Sequence, residues 1–162
     1  MKYIKVRDVK SPERGTSRSA GIDFFVPYGV RRVLRPGTDT LIPSGIKIAI
    51  PEGYMLMGAN KSGVVTSKSS RIDAGIKPKS GTYDSVVMLG ACIVDEDFQG
   101  EIFIHLVNVG NHIVNILPGT KIAQLILVPV SYEGLEEVAG ESELFESKSE
   151  RGTGMLGSTG SF

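Results

Sequence analysis

Residues 102–130 read IFIHLVNVGNHIVNILPGTKIAQLILVPV, and this stretch decides the fold class. It contains three apolar runs, at 102–109, 113–116 and 122–130, which are rich in isoleucine and valine. The runs are separated by Gly-Asn-His and by Pro118-Gly119, which favour turns. Short β-branched runs between turn signals are typical of half-buried strands. The stretch therefore predicts three consecutive β-strands.

The same pattern extends towards the N-terminus. Further strands are predicted at 3–6, 22–26, 40–42, 46–50, 54–58 and 86–94, each bounded by Gly, Pro, Asn, Asp or Ser. Helical periodicity is nearly absent, and the best helical candidate is a short turn at 63–68. Turn signals spaced by about 8–12 residues are typical of sandwiches and barrels. We therefore expect one all-β domain over residues 1–139, followed by a flexible glycine-rich arm over residues 140–162.

Composition limits the classes of function. The chain has 162 residues, enough for one domain with its own core. Its 18 basic and 18 acidic residues give a formal net charge of zero, which argues against bulk electrostatic capture of nucleic acid or of an anionic membrane. Cys92 is the one cysteine, which excludes a disulfide within the chain and a cysteine-based metal site. The sequence shows no signal-peptide pattern and no run of membrane-span length, so we expect a cytoplasmic protein.

The C-terminal stretch is Arg151-Gly-Thr-Gly-Met-Leu-Gly-Ser-Thr-Gly160. Glycine lets backbone N–H groups approach an anion closely, and the hydroxyls of Ser and Thr add donors. The guanidinium of Arg151 matches a pair of phosphate oxygens. The stretch suits a polyphosphate, and the alternative is a polar tail without a ligand.

Four other segments carry residues that suit phosphate or nucleotide chemistry. Each short segment alone is also compatible with an ordinary turn or loop. The segments are Ala20-Gly-Ile-Asp-Phe24, Lys61-Ser-Gly63, Val94-Asp-Glu-Asp-Phe-Gln-Gly100 and Gly119-Thr-Lys-Ile-Ala-Gln-Leu125.

The third of these segments places three acids at what we predict to be a hairpin between two strands. Like charges so close repel each other, and one carboxylate beside an apolar wall could act as a general base on water. A solvated hairpin tip and a site for Mg²⁺ or Ca²⁺ are the alternatives, although the spacing is not that of an EF-hand loop. The two histidines, His105 and His112, support neither a zinc site nor a Ser-His-Asp triad.

Taken together and in order, the five segments resemble the five motifs of the trimeric dUTP pyrophosphatase (dUTPase) family. Ala20-Gly-Ile-Asp23 is similar to A-G-x-D, and Lys61-Ser-Gly63 to R-S-G. Residues 93–100, IVDEDFQG, are similar to V-I-D-x-D-Y-x-G, and residues 119–124, GTKIAQ, to G-x-R-I-A-Q. The tail from Arg151 is similar to R-G-x-G-G-F-G-S-T-G. The resemblance spans nearly the whole chain.

The resemblance implies a distorted jelly-roll-like β-sandwich or barrel in a homotrimer, with the arm closing over the active site of a neighbouring subunit. It also implies Mg²⁺-assisted hydrolysis of dUTP to dUMP and pyrophosphate. The magnesium ion would be held mainly by the substrate phosphates, with no dedicated metal ligands in the protein. The reaction would limit uracil in DNA and supply dUMP for thymidylate synthesis.

The resemblance also implies roles for individual residues. Asp95 would deprotonate the attacking water, Asp23 would support the site through the metal's water shell or a neighbouring cation, and Gln124 would bind a phosphate or the water network. The backbone at Cys92, Ile93, Val94 and Phe103 would recognise uracil, and Phe98 would pack on the deoxyribose. The expected phosphate and lid contacts are Lys61, Ser62, Gly63, Arg151, Leu156, Gly157, Ser158 and Thr159.

The sequence departs from the family pattern at individual residues and in the length of one stretch. Lys61 replaces an arginine, Phe98 replaces a tyrosine, and Leu156 stands where the family has the phenylalanine that stacks on uracil. The stretch between Val64 and Cys92 is longer than usual, mainly because of the insertion that begins at Lys77 and ends at Ser85. This insertion could bind a regulatory partner. Two alternatives stay open from the sequence: an enzyme similar to dCTP deaminases, and a nucleotide-binding regulatory protein with the same fold.

Overall fold

The computed structural model describes residues 1–61, 71–72, 87–90 and 92–154. The chain divides into two compact units, Met1–Ser131 and Tyr132–Phe162. The expected helical turn at 63–68 and the insertion from Lys77 to Ser85 lie outside the described residues. Among those residues, no helix is both long enough and apolar enough to cross a membrane.

The fold is nearly all β, as the sequence predicts. In chain order, the strands are β1 Lys2–Lys5, β2 Glu13–Arg14, β3 Gly21–Phe25, β4 Arg32–Leu34, β5 Asp39–Pro43, β6 Ile46–Ala49, β7 Tyr54–Ala59, β8 Arg71–Ile72, β9 Val87–Leu89, β10 Ile93–Val94, β11 Phe103–Asn108, β12 Val114–Ile116 and β13 Lys121–Pro129. A short helix, α1 Glu141–Leu144, lies in the second unit.

The largest sheet has five strands in the order β10-β7-β13-β3-β2. Strand β13 lies at its centre and pairs antiparallel with β7 on one side and β3 on the other. Its burial explains why an apolar run of this length forms a strand: Ile122, Ala123 and Leu125 are fully buried. The sheet therefore brings four of the motif segments close together. Strand β3 carries part of the first segment, β7 ends just before the second, β10 leads into the third, and β13 carries part of the fourth.

Three smaller sheets complete the first unit. They are β1-β6, β5-β11-β9 and β4-β12-β8. Strand β11 shows the alternation of a half-buried strand, because Ile104, Leu106 and Asn108 are buried while Phe103 is exposed. The sheets share one apolar core, whose largest fully buried side chains include Phe24, Leu34, Ile42, Leu56, Ile104 and Ile116.

Some predicted elements differ from the structure. The strand predicted at 86–94 is two strands, β9 and β10, which belong to different sheets. Strands β2, β4 and β8 were not predicted, because they are short and carry charged residues that hide the β pattern. The arm expected over residues 140–162 to be flexible contains a short helix, α1, near its start. The other predicted strands are confirmed with small shifts at their ends.

Candidate active site

The acidic segment connects two strands that belong to different sheets. We call residues 95–100 the acidic loop; it joins β10, in the five-stranded sheet, to β11, in the three-stranded sheet β5-β11-β9. The hairpin expected from the sequence is therefore a crossover between sheets, since β10 pairs with β7 whereas β11 pairs with β5 and β9. The loop begins with a turn in which Phe98 N donates to Asp95 O at 3.2 Å.

The three acids of the loop have different surroundings. Glu96 Oε2 accepts a hydrogen bond from Gly53 N at 2.5 Å, so this carboxylate is engaged in holding the loop. Within the described part of the chain, the carboxylates of Asp95 and Asp97 have no hydrogen-bond or ion-pair partner. Asp95, which the sequence predicts as the general base, therefore has carboxylate oxygens that no other described residue engages.

The C-terminal end of the acidic loop is fixed by Glu101. Its carboxylate accepts two hydrogen bonds from the Arg7 guanidinium, at 2.7 and 3.0 Å, and a third from Gly45 N at 2.8 Å. Burial opposes ionisation of Glu101, but the hydrogen bonds from Arg7 and Gly45 outweigh it, so the pKa of Glu101 lies below its ordinary value. The loop is thus tied to the N-terminal segment by a charged pair.

Three apolar residues in or near the acidic loop, Ile93, Phe98 and Phe103, are exposed in the single chain. Phe98 is 45% exposed and folds over Gly100, where an added Cβ atom would overlap its ring. Phe98 also borders an open depression of about 420 Å³ that Tyr3 and Ile48 help to line. Ile93 and Phe103, at either end of the loop, are exposed too. Their faces are open to a ligand or a neighbouring chain.

Cys92 packs against the neighbouring strand. Its carbonyl accepts a hydrogen bond from Gly58 N at 2.8 Å, and its side chain fills the space beside the missing Cβ of Gly58. Burial raises the pKa of the Cys92 thiol, and this shift disfavours the thiolate. The residue is therefore placed as a small packed side chain whose backbone continues into β10, where Val94 is buried.

Asp23 is the most buried acid of the candidate site, with 4% of its surface exposed. Lys61 Nζ donates to Asp23 Oδ1 at 2.7 Å, and Lys121 Nζ donates to Oδ2 at 2.9 Å. Burial opposes the charge, but the two lysines outweigh it and hold the pKa of Asp23 below its ordinary value. Of the two supporting roles expected for Asp23, the observed contact is the one with neighbouring cations.

Lys121 is a member of this cluster that the sequence reasoning did not single out. It also donates to Glu13 Oε1 at 2.8 Å. The hydrogen bond to Glu13, and to a smaller extent the one to Asp23, raises the pKa of Lys121. The only sequence signal is its place in the fourth motif segment, because its partner Glu13 lies in a strand that was not predicted.

Gln124 is the cross-strand partner of Asp23, and its side chain holds the residue before Lys61. Gln124 Nε2 donates to Asn60 O at 3.0 Å, and Asn60 Oδ1 accepts from Leu89 N at 2.7 Å. The Gln124 side chain occupies the space beside Gly21, where a Cβ atom would overlap its amide. The structure thus brings Asp23, Lys61 and Gln124 together.

The arm is described up to residue 154. Gly154 N donates to Arg151 O at 3.0 Å, and Arg151 Nε donates back to Gly154 O at 3.1 Å, which closes a turn. Gly152 adopts a φ of 50°, a left-handed conformation that suits glycine. Six expected site residues lie outside the described residues, namely Ser62, Gly63, Leu156, Gly157, Ser158 and Thr159.

Metal ligation by the protein alone has no basis in the part of the chain that is described. Those residues contain no cluster of three or more His, Cys, Asp or Glu side chains that could hold an ion. The two oxygens of Asp23 already accept from lysines.

Comparison with known proteins supports the motif assignment. The family model described as dUTPase matches residues 60–160. A deoxyuridine 5'-triphosphate nucleotidohydrolase from Beijerinckia indica is 32% identical over 92% of this chain and 82% of that protein. Its counterpart from Chlamydia trachomatis serovar L2 is 32% identical over 92% of this chain and 90% of its own length.

Solved structures share the fold. The Staphylococcus bacteriophage 80alpha dUTPase with dUpNHpp matches with a TM-score of 0.75 and 23% identity, covering 99% of this chain and 98% of that one. The dUTPase from phage phi11 of S. aureus, described with a structural Mg(II) ion, matches with a TM-score of 0.68 and 21% identity, over 87% of this chain and 97% of that one. With the family model over residues 60–160 and relatives aligned along most of its length, the chain belongs to the dUTPase family.

Proposed function

We propose that this protein hydrolyses dUTP to dUMP and pyrophosphate, as the names of its relatives state for those proteins. The observation that carries the proposal is the contrast between the motif acid Asp95 and the two glutamates beside it, Glu96 and Glu101. Glu96 and Glu101 are hydrogen-bonded to the fold, whereas Asp95, the motif acid, has no partner among the described residues. A carboxylate that the fold leaves uncommitted is suited to accept a proton from water.

The proposed reaction is an attack of water on the α-phosphorus of dUTP. A water oxygen forms a bond to the α-phosphorus while its proton passes to the Asp95 carboxylate. The bond between the α-phosphorus and the oxygen that bridges to the β-phosphorus breaks, and pyrophosphate leaves with the electron pair. General-base catalysis of this kind contributes about 10²–10⁴-fold to the rate.

Lys61 supplies positive charge to the phosphate chain. Its ammonium group is held by Asp23 at 2.7 Å, and the carbonyl of Asn60, the residue before it, accepts from Gln124. A cation fixed before the substrate arrives needs little reorganisation when charge develops on the leaving group. We propose that Ser62, Gly63 and the arm residues Arg151, Gly157, Ser158 and Thr159 complete the phosphate contacts.

Magnesium is the proposed cofactor. Bound Mg²⁺ would neutralise phosphate charge and make the leaving pyrophosphate more stable. As the family resemblance implies, the ion would be held mainly by phosphate oxygens, and water would complete its oxygen ligands. Asp95 is the acid proposed to act through the surrounding water, and Asp23 is proposed to act through the neighbouring cation Lys61.

The base and sugar would be selected near the acidic loop. We propose that backbone groups at Cys92, Ile93 and Phe103 pair with the uracil edge. Cytosine would present a donor where uracil presents an acceptor, and a buried group would then be unpaired. The exposed ring of Phe98 would pack on the deoxyribose and leave no room for a 2′-hydroxyl. Leu156 replaces an aromatic ring, which reduces stacking on the base.

We also propose an oligomeric state, a cellular compartment and a partner contact for this protein. The family resemblance implies a homotrimer whose arm, proposed as residues 140–162 after a β domain of residues 1–139, closes over a neighbouring subunit. The protein is proposed to act in the cytoplasm. The insertion from Lys77 to Ser85 is proposed as a contact for a regulatory partner.

The decisive experiment is a nucleotide panel. Purified protein is incubated with dUTP, dCTP, dTTP and UTP, with Mg²⁺ or with EDTA, and the products are separated by ion exchange. We expect dUMP and pyrophosphate from dUTP alone, in the presence of Mg²⁺. Asp95→Asn should lower the rate by about 10²–10⁴-fold, whereas Asp97→Asn, which alters an acid of the same loop, should keep most of it.

Other products would identify the alternatives. Ammonia and a deoxyuridine nucleotide from dCTP would assign a deaminase, and the proposed function would fail. Binding of dUTP without any product would assign a nucleotide-binding regulator. Full dUTP turnover by Asp95→Asn would remove Asp95 from the role of general base.

A further inference from the structure

Two carboxylates lie directly opposite each other beside the candidate site. Glu13 of β2 and Asp23 of β3 are cross-strand partners in the five-stranded sheet. Like charges at such a pair destabilise a sheet. Lys121 Nζ lies between them, 2.8 Å from Glu13 Oε1 and 2.9 Å from Asp23 Oδ2. One lysine therefore compensates the repulsion between the two acids.

A β-bulge brings Lys121 to this position. The pairing of β13 with β3 shifts register between Lys121 and Ala123, so Lys121 is paired with Phe25. Without the shift, Lys121 would be opposite the next residue, Val26, whose side chain is on the other face of the strand. Phe25 and Asp23 share one face, and the shift places Lys121 there. Bulges commonly re-aim a side chain next to a functional site.

Asp23 divides its two oxygens between two lysines. Oδ2 accepts from Lys121, and Oδ1 accepts from Lys61, at 2.7 Å. Glu13, Lys121, Asp23 and Lys61 thus form a row of alternating charge, which we call the charge row. Its sum is zero, and its last member, Lys61, belongs to the motif that would contact phosphate. The Lys61 side chain retains 29% exposure.

Resting on the proposed function, we propose that Lys121 and Glu13 are positioning residues that set how much positive charge Lys61 presents to a bound phosphate chain. Lys121 donates to one oxygen of Asp23. The negative charge of Asp23 is therefore shared between Lys121 and Lys61, and it neutralises Lys61 less than it would without Lys121. Glu13 acts in the opposite sense, because it draws Lys121 away from Asp23. Neither residue needs to touch the nucleotide.

The two residues therefore have effects of opposite sign. In Lys121→Met, Asp23 keeps only Lys61 as a partner, and the site loses one positive charge. In Glu13→Gln, Lys121 is released to Asp23 alone, and the site loses one negative charge. A role limited to holding β2 against β3 predicts a loss of binding in both variants. The sign of the Glu13→Gln effect separates the two interpretations.

The first test measures binding of dUpNHpp by calorimetry. We expect Lys121→Met to weaken binding roughly tenfold, as loss of a unit charge near the phosphates implies. Glu13→Gln should tighten binding by about two- to threefold, because this pair is more exposed and better screened. Lys121→Arg should restore near wild-type affinity, and high salt should reduce the differences.

Lys10→Met is the matched control. Lys10 and Lys121 both lie over the Phe25 ring, at 5.4 and 5.5 Å from its centre. Of these two lysines, Lys121 donates to Asp23 and Lys10 does not. Removing Lys10 deletes a nearby positive charge without changing the charge row, so nucleotide affinity should change much less than in Lys121→Met.

A second readout does not depend on nucleotide. The titration of the Asp23 carboxyl can be followed by NMR in the protein alone. Lys121→Met should move its midpoint upward, Glu13→Gln should move it downward, and Lys10→Met should leave it in place. If the wild-type protein bound no nucleotide, the proposed function would fail, and inorganic triphosphate would serve as the probe in the same comparison.

Two results would overturn the proposal. One is an equal loss of affinity in Lys121→Met and Glu13→Gln, which would show a merely structural role. The other is an Asp23 midpoint that is the same in Lys121→Met and in the wild type.

Discussion

The side chain of Gln124 occupies the space that a Cβ atom at residue 21 would need. Gly21 and Gln124 lie on the paired strands β3 and β13. From this position, Gln124 Nε2 donates to the carbonyl of Asn60, the residue before Lys61. The absence of a side chain at Gly21 is thus one condition for the placement of Lys61.

Gly21→Ala is expected to displace Gln124 and release Asn60. Overpacking of this kind costs about 1–3 kcal/mol of unfolding free energy. We expect kcat/KM for dUTP to fall about tenfold or more, because misplacing a phosphate-binding group costs transition-state stabilisation. Steady-state kinetics and urea unfolding measure the two effects. Gly29→Ala is the control, since a Cβ atom at Gly29 meets nothing within 4 Å; similar losses in both variants would contradict the prediction.

Glu96→Ala is expected to destabilise the acidic loop. The change removes the acceptor of the Gly53 N–H, a bond of 2.5 Å in a turn where Gly53 has a φ of 76°. Loss of a partner for a partly buried donor costs about 1–3 kcal/mol. Asp97→Ala alters the same loop without removing a bond seen among the described residues, and should cost far less. Denaturant unfolding compares the two; equal costs would show that the Glu96–Gly53 bond contributes little.

Acid should weaken the link between Glu101 and Arg7. The pKa of Glu101 is held below its ordinary value of 4.5, so its ion pair contributes fully at pH values above 4.5. The contribution is lost as the pH falls through the lowered pKa of the folded state. The melting temperature of the wild type should therefore decline more steeply than that of Glu101→Gln when the pH is lowered from about 5 to 3. Parallel curves for the two proteins would show that Glu101 adds nothing to the acid sensitivity.

The thiol of Cys92 is expected to react slowly in the native protein. Burial raises its pKa, so the fraction of reactive thiolate is small at neutral pH. A thiol-specific reagent should label native protein at least about tenfold more slowly than protein in urea. Complete unfolding should release one thiol per chain, because Cys92 is the one cysteine. Native labelling as fast as that of free cysteine would refute the packed placement.

The sequence predicts those strands whose own residues carry a strong β pattern. The run at 122–130 forms β13 because Ile122, Ala123 and Leu125 fill the core. Strand β2, Glu13–Arg14, has no such pattern, and it is a strand because it pairs with β3. Pairing with a distant segment leaves no periodic signal in a stretch of two residues. The two-strand structure of 86–94 was missed for a similar reason, since β9 and β10 pair with different strands.

The sequence named several residues of the candidate site, but it did not indicate all of the contacts between them. Asp23, Lys61 and Gln124 were assigned from motifs, and the structure brings them together. Lys121 was missed because its orientation depends on a register shift between β13 and β3, and no residue type in the sequence indicates that shift. The expected hairpin around Asp95 is a crossover between sheets, because the partners of β10 and β11 lie elsewhere in the chain.

The order of strands in the largest sheet has a consequence for how the protein is made. Strand β13 lies between β3 and β7, yet it is the last of these strands to leave the ribosome. Until residues 121–129 emerge, β3 and β7 each expose one unpaired edge, and such edges are prone to aggregate. Pairing across about a hundred residues also carries a large loop-closure cost, which slows folding. Assembly of the largest sheet is therefore expected to await synthesis of nearly the whole first unit, and chains that end before Lys121 should depend on chaperones to stay soluble.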